Sequence, residues 1–256
     1  MWGRRLFLAA SLCVGATGVV AAQTIQESAR QCASSNPDTA ISGCTAEIQS
    51  GQLSDDDLVV AFEYRGKAYL PKQDYDRAIA DFTQAIRLKP DDAHAFCDRG
   101  AAYDAKGDEG HALADFNEAI RLDPTGEAGS GTKGYAFNDR GVVYLDKGLY
   151  DQAIADENQA LSFNSAYAYP YLNRGRAYLA KGLYDNAIAD ESEAISLKLD
   201  ADNLMYAYVL RGQAYEHKGF SASAIGDYRA ALKIDPNFHG AVQLAQDGLK
   251  RLGAAP

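Results

Sequence analysis

In the segment AFEYRGKAYLPKQDYDRAIADFTQAIRLKP, residues 61–90, apolar side chains recur three and four positions apart in two runs, with glycine, proline and polar residues at the break. With 3.6 residues per turn, such positions share one face of a helix, so each run predicts an amphipathic helix and the break predicts the turn between them. The same two-run pattern returns down most of the chain, and no run alternates as a half-buried strand would. The expected fold class is all-α, assembled from helix pairs.

The pairs are registered copies. Arg-Gly stands at Arg65, Arg99, Arg140, Arg174 and Arg211, each followed four positions after the arginine by a tyrosine, at spacings of 34, 41, 34 and 37. Behind each come an alanine (Ala78, Ala112, Ala153, Ala187, Ala224), an aspartate (Asp81, Asp115, Asp156, Asp190, Asp227) and a second alanine (Ala85, Ala119, Ala160, Ala194, Ala231). Small residues at fixed places in a period of 34 denote helices whose backbones pack closely. The unit resembles the tetratricopeptide repeat (TPR): Phe62, Gly66, Tyr69, Ala78, Phe82, Ala85 and Pro90 fall at that signature's spacing, and Phe96 through Pro124 repeat it. Ser165 and Leu199 replace the closing proline in the third and fourth copies.

The resemblance covers residues 58–236 in five units, about 59–92, 93–126, 134–166, 168–200 and 205–236, followed by a C-terminal capping helix and tail over 237–256. It implies a right-handed α-solenoid whose concave groove binds a peptide or protein segment. In that family the first helix of each unit lines the groove. Carried over, this places Tyr135, Asn138, Val142 and Leu145 there from unit three, Tyr169, Leu172, Arg176 and Leu179 from unit four, and Tyr206, Val209 and Gln213 from unit five. The lysine and asparagine set by which some TPR domains clamp a C-terminal carboxylate is not evident, since Glu63, Cys97 and Ala101 stand where it is expected.

A solenoid end must cover the apolar face of its terminal helix. At the C-terminus, NFHGAVQLAQDGLKRLG is amphipathic, with Phe238, Val242, Leu244 or Ala245, and Leu249 toward the array. At the other end, 23–57 reads as a capping segment: DTAISGCTAEI aligns with DRAIADFTQAI of unit one and puts Cys44 where Phe82 stands. Cys32 lies in the helix before it, so a Cys32–Cys44 disulfide joining the two helices is expected, with Cys97 left as a thiol. Residues 1–22 carry Arg4 and Arg5, an apolar run and Val20-Ala21-Ala22, the arrangement of a cleaved export signal. The expected location is a bacterial periplasm, which permits disulfides, with no stable membrane insertion after cleavage.

Charge narrows the partners. With 25 basic against 35 acidic residues, net −10, and no basic stripe, the chain repels phosphate backbones, so the expected partner is a protein or peptide and not nucleic acid. The stretch GEAGSGTKGY matches G-x-G-x-x-G at Gly129, Gly131 and Gly134, but no strand precedes it; it reads as a spacer absorbing the extra residues between Arg99 and Arg140. His94, His111, His217 and His239 lack ligand spacing, so neither metal nor cofactor is expected.

Two sets of charges remain. The repeated arginines and aspartates are expected to pair within a unit or with the next one, fixing repeat geometry. Where units one, two and five carry Phe82, Phe116 and Tyr228, units three and four carry Glu157 and Glu191: an acid/base pair, a cation site, or solvated helix faces. The functional expectation is a non-catalytic protein-interaction scaffold. The alternatives are a cell-envelope enzyme using Glu157 and Glu191, or a subunit docked on a larger envelope assembly.

Overall fold

The computed structural model describes residues 27–123, 132–235 and 239–255, all of it helices and turns without a strand. The expected leader and the spacer glycines Gly126, Gly129 and Gly131 lie outside the described residues. Contacts divide the chain into two compact units, Met1–Asp108 and Glu109–Pro256, a boundary inside the second repeat.

The first unit contains α1 (27–32), α2 (Pro37–Ser50), α3 (Asp55–Tyr69), a 3-10 turn (Leu70–Lys72), α4 (Tyr75–Leu88) and α5 (Ala93–Lys106). Asn36, Ser54, Asp74 and Asp92 start α2 to α5 by accepting a hydrogen bond from a backbone N–H two or three residues on, which satisfies a donor the helix cannot. The Cys32–Cys44 disulfide pins α1 to α2 and packs with Ala61 of α3. Phe82 of α4 is fully buried against Gly66 of α3, where an added Cβ would stand 2.7 Å from the ring. Only glycine lets the two helices and the ring occupy that space.

The second unit contains α6 (Glu109–Leu122), α7 (Thr132–Asp146), α8 (Tyr150–Phe163), α9 (Ala168–Ala180), α10 (Tyr184–Ser196), α11 (Ala201–His217), α12 (Ser221–Leu232) and α13 (His239–Arg251). Helix α7 begins at Thr132, so Gly134 is a buried helical residue and not the last glycine of a loop. Helices α8, α10 and α12 start at Leu149, Leu183 and Phe220, exposed apolar N-caps that make no side-chain cap bond. At the C-terminus Ala241, Ala245 and Leu249 of α13 are fully buried with Met205, Val209 and Tyr228. Leu244 is exposed, so Ala245 is the residue that faces inward; Phe238 is outside the described residues.

The charged ladder pairs within the repeat in the first, third, fourth and fifth copies. Arg65 donates two bonds to Asp81, both at 2.8 Å, and Arg140–Asp156, Arg174–Asp190 and Arg211–Asp227 repeat the fork at 2.7–2.9 Å. A further nitrogen reaches back to the preceding helix pair: Arg65 to Thr45, Arg140 to Asn117, Arg174 to Asn158 and Arg211 to Ser192. Each of these four guanidinium groups thus closes its own repeat and bolts it to the helix pair before.

Candidate functional site

Tyr135 and Tyr169 stand at equivalent places in the first turns of α7 and α9, 45% and 37% exposed. Tyr167, the N-cap residue of α9, joins them. Its ring centroid is 5.1 Å from that of Tyr135 with the planes at 84°, and 5.6 Å from that of Tyr169 at 55°. The Tyr169 hydroxyl donates to Asp200 at 2.7 Å. Asp200 caps α11, and bonds from Asn203 and Tyr169 hold its carboxyl down to about 2. Burial pushes the Tyr167 hydroxyl well above its ordinary range, reinforced by the negative charge of Asp139.

The other expected groove residues divide by exposure. Arg176 is exposed and lies 3.7 Å from Asp146. Val142, Leu179 and Gln213 are half-buried. Asn138, Leu145, Leu172 and Val209 are buried: Leu145 packs with Ala153 and Ala177, Leu172 with Ala168 and Ala207, and Val209 with Met205 and Tyr228. Asn138 accepts a bond from Asn173 at 3.0 Å and donates one to Asp139. Tyr206 differs from the other two tyrosines because α13 covers it; a Cβ on Gly240 would stand 3.0 Å from its hydroxyl.

Sequence reasoning passed over Tyr167, Asn173 and Asp200. A signal for Tyr167 existed: it occupies the N-cap of α9, where α5 and α11 have Asp92 and Asp200, and it makes no cap bond.

Glu157 and Glu191 are not solvated helix faces. Both are fully buried; neither oxygen of Glu191 has a hydrogen-bond partner, and the Asn173 side chain lies near Glu157 without reaching hydrogen-bond geometry. They fill the slot that Phe82 and Tyr228 fill elsewhere: an added Cβ on Gly141 would lie 2.4 Å from Oε1 of Glu157, and one on Gly175 2.4 Å from Oε1 of Glu191. Burial pushes both carboxyls well above the usual range, with Asp156 adding to the effect on Glu157 and Asp190 to that on Glu191. A carboxyl without exposed surface cannot meet a substrate in this conformation, and burial disfavours its ionised form.

The first unit holds a different constellation. Lys67 of α3 bonds Asp98 of α5 at 2.9 Å, and Lys89 bonds Asp92 at 2.8 Å. Burial, with Asp92 second, pushes the Glu63 carboxyl up, and the partnership with Asp92 raises His94. These charges are largely matched among themselves. Among the described residues no group of three potential ligands could hold a metal ion, and no helix is long and apolar enough to cross a membrane.

Comparison with known proteins agrees with this architecture. A family model described as TPR repeat matches residues 66–107, and models described as tetratricopeptide repeat match 93–125, 138–203 and 206–238. No curated protein matches the chain. Similar solved structures include PilW, described as a widely conserved type IV pilus biogenesis factor, with TM-score 0.69 and 19% identity over 88% of this chain and 97% of that one. A tetratricopeptide repeat protein from Parabacteroides merdae gives TM-score 0.64 and 18% identity over 92% and 86% of the two chains. YrrB, described as a TPR protein with an unusual peptide-binding site, gives 0.57 and 20% over 81% and 97%. At these identities the likeness of structure speaks for the fold alone. The sequence models, the glycine-seated helix pairs and the stacked architecture of each unit agree: the chain belongs to the tetratricopeptide repeat family.

Proposed function

We propose that the protein is a non-catalytic interaction scaffold of a bacterial periplasm, holding an extended or helical segment of a partner protein on the first-helix face of its second unit. The observation that carries this reading is the exposure of Tyr135 and Tyr169 at equivalent positions of successive repeats, linked through Tyr167. Large amphipathic rings with few rotamers are common anchors in binding hot spots. Val142, Arg176, Leu179 and Gln213, none of them fully buried, supply the mixed surroundings such a segment needs. Tyr206 is the third anchor only where α13 leaves it accessible. Peptide binding by YrrB supports this use of the fold, and the disulfide supports an oxidising location.

Capture from cell-envelope extract by the immobilised chain tests the reading. Tyr169→Ala is expected to weaken retention of the native partner by roughly thirtyfold, the cost of one hot-spot anchor, with helicity and cooperative melting preserved. A folded Tyr135→Ala/Tyr169→Ala variant that retains the partner as well as the parent does would sink it.

A second reading, docking on a larger envelope assembly, is favoured by Leu149, Leu183 and Phe220, which place an exposed apolar side chain at the same turn of three successive repeats. Under it, Leu149→Asp/Leu183→Asp moves the protein from a large complex to the monomer position on size exclusion of extract.

A further inference from the structure

The three tyrosines carry a second observation, which concerns the chemistry of the partner. Throughout the second unit, ring faces near the ladder are already occupied by the chain's own cations. Arg140 lies over Phe137 and Tyr144, Arg174 over Tyr171 and Tyr178, and Arg211 over Tyr208, all within 6.0 Å of the ring centre. Among the described residues, no lysine or arginine lies over Tyr135, Tyr167 or Tyr169. Tyr135 and Tyr167 meet edge to face at 84°, which takes up one ring face of that pair, and Tyr169 is tilted at 55° to Tyr167, so the trio is not closed by parallel stacking.

Carboxylates flank the trio. Asp200 accepts the Tyr169 hydroxyl, and Asp139, held by Asn138, acts on Tyr167. Helix α9 starts without a side-chain cap bond, at the residue that supplies the middle ring. Ring faces attract cations, and adjacent carboxylates strengthen that attraction while penalising an anion. The chain as a whole, at net −10, has the same preference.

We propose that Tyr135, Tyr167 and Tyr169, with Asp200 beside them, form a cation-recognition site that takes the ammonium or guanidinium head of a lysine or arginine in a basic segment of the partner. This rests on the reading of the tyrosine face as a partner-binding surface, and it names the class of partner. An acidic segment would meet Asp139 and Asp200 at close range. A purely apolar one would desolvate them without compensation.

The test uses the full mature chain and three capped dodecapeptides, alternating glycine with lysine, glutamine or glutamate, followed by calorimetry and by NMR of the tyrosine rings. The lysine peptide is expected to bind and to shift the ring signals of Tyr135, Tyr167 and Tyr169. Tyr169→Leu, which keeps an apolar side chain without a π face, is expected to weaken it about tenfold, while Tyr169→Phe keeps most of the affinity. Asp200→Asn weakens the same peptide. Equal binding of the glutamine peptide on the same rings overturns the cation site and leaves the partner-binding reading standing. Lysine-peptide affinity that is undiminished in Tyr169→Leu, or no peptide binding at all, also overturns it. Undiminished capture of the native partner by Tyr135→Ala/Tyr169→Ala removes both readings together.

Discussion

A methyl group placed on Gly141 would stand 2.4 Å from Oε1 of Glu157 and 3.0 Å from its carboxyl carbon. The glycine and the buried acid therefore share one slot between α7 and α8. Gly141→Ala is expected to destabilise the protein by about 1–3 kcal/mol, the usual cost of overpacking. Gly226, inside α12, has nothing within 4 Å of a built Cβ. Gly226→Ala is expected to stabilise by about 0.5–1 kcal/mol, because alanine loses less backbone freedom on folding. Urea unfolding of the two variants should move the midpoint in opposite directions.

Glu157 and Glu191 have carboxyls raised above their ordinary value, chiefly by burial. The folded state holds their protons more tightly than the unfolded chain does. Their packing is therefore fully favourable below about pH 4.5, where unfolded glutamates are also protonated, and is progressively lost as pH rises toward the raised folded values. Glu157→Gln/Glu191→Gln is expected to gain stability over the parent as pH rises above that point, with little difference in acid. A stability difference between variant and parent that does not change with pH contradicts this account.

Asp156 accepts both arms of Arg140 and is almost wholly buried, whereas Asp151 pairs with Lys181 on the surface. Asp156→Ala strands a largely buried guanidinium and is expected to cost about 3 kcal/mol. Asp151→Ala should cost under about 1 kcal/mol, since exposed pairs are weak. Equal urea midpoints would refute the difference in burial.

The Cys32–Cys44 link spans twelve residues and ties α1 to α2. Replacing both by serine is expected to lower stability by about 2–4 kcal/mol, chiefly by freeing the unfolded chain. Non-reduced peptide mapping should recover the pair linked, with Cys97 as a thiol that is modified only after unfolding, because it is buried.

Leu183 begins α10 without a side-chain cap and is 43% exposed. Leu183→Asp is expected to raise stability by about 1 kcal/mol by supplying the missing acceptor at the positive end of the helix. A thermal midpoint that falls instead would show that packing of the leucine outweighs the cap.

The repeats and the disulfide were legible because each follows from registered positions along one chain. Which aspartate meets Arg140 was not, since an arginine between two helix pairs has a candidate on either side; only the geometry shows that two arms stay home and one reaches back to Asn117. The burial of Glu157 and Glu191 was obscured by residue type, although Gly141 and Gly175 were in place to say that the slot behind them had been kept. Of the expected groove residues, Asn138, Leu145, Leu172 and Val209 turn out buried because one helix face serves both the surface and the packing against the next pair. Tyr167 escaped notice because it is the N-cap of α9, a position read for its capping and not for its ring.

The backward reach of the arginines makes the repeat an interchangeable part. Thr45 and Ser192 offer a hydroxyl, Asn117 and Asn158 an amide oxygen, and each accepts from the next guanidinium. A gene encoding such a chain can gain or lose one whole repeat without leaving a buried charge unmatched, since every unit brings its own arginine, its own aspartate and a small polar socket for its successor. Array length is then free to follow the size of whatever the protein must span.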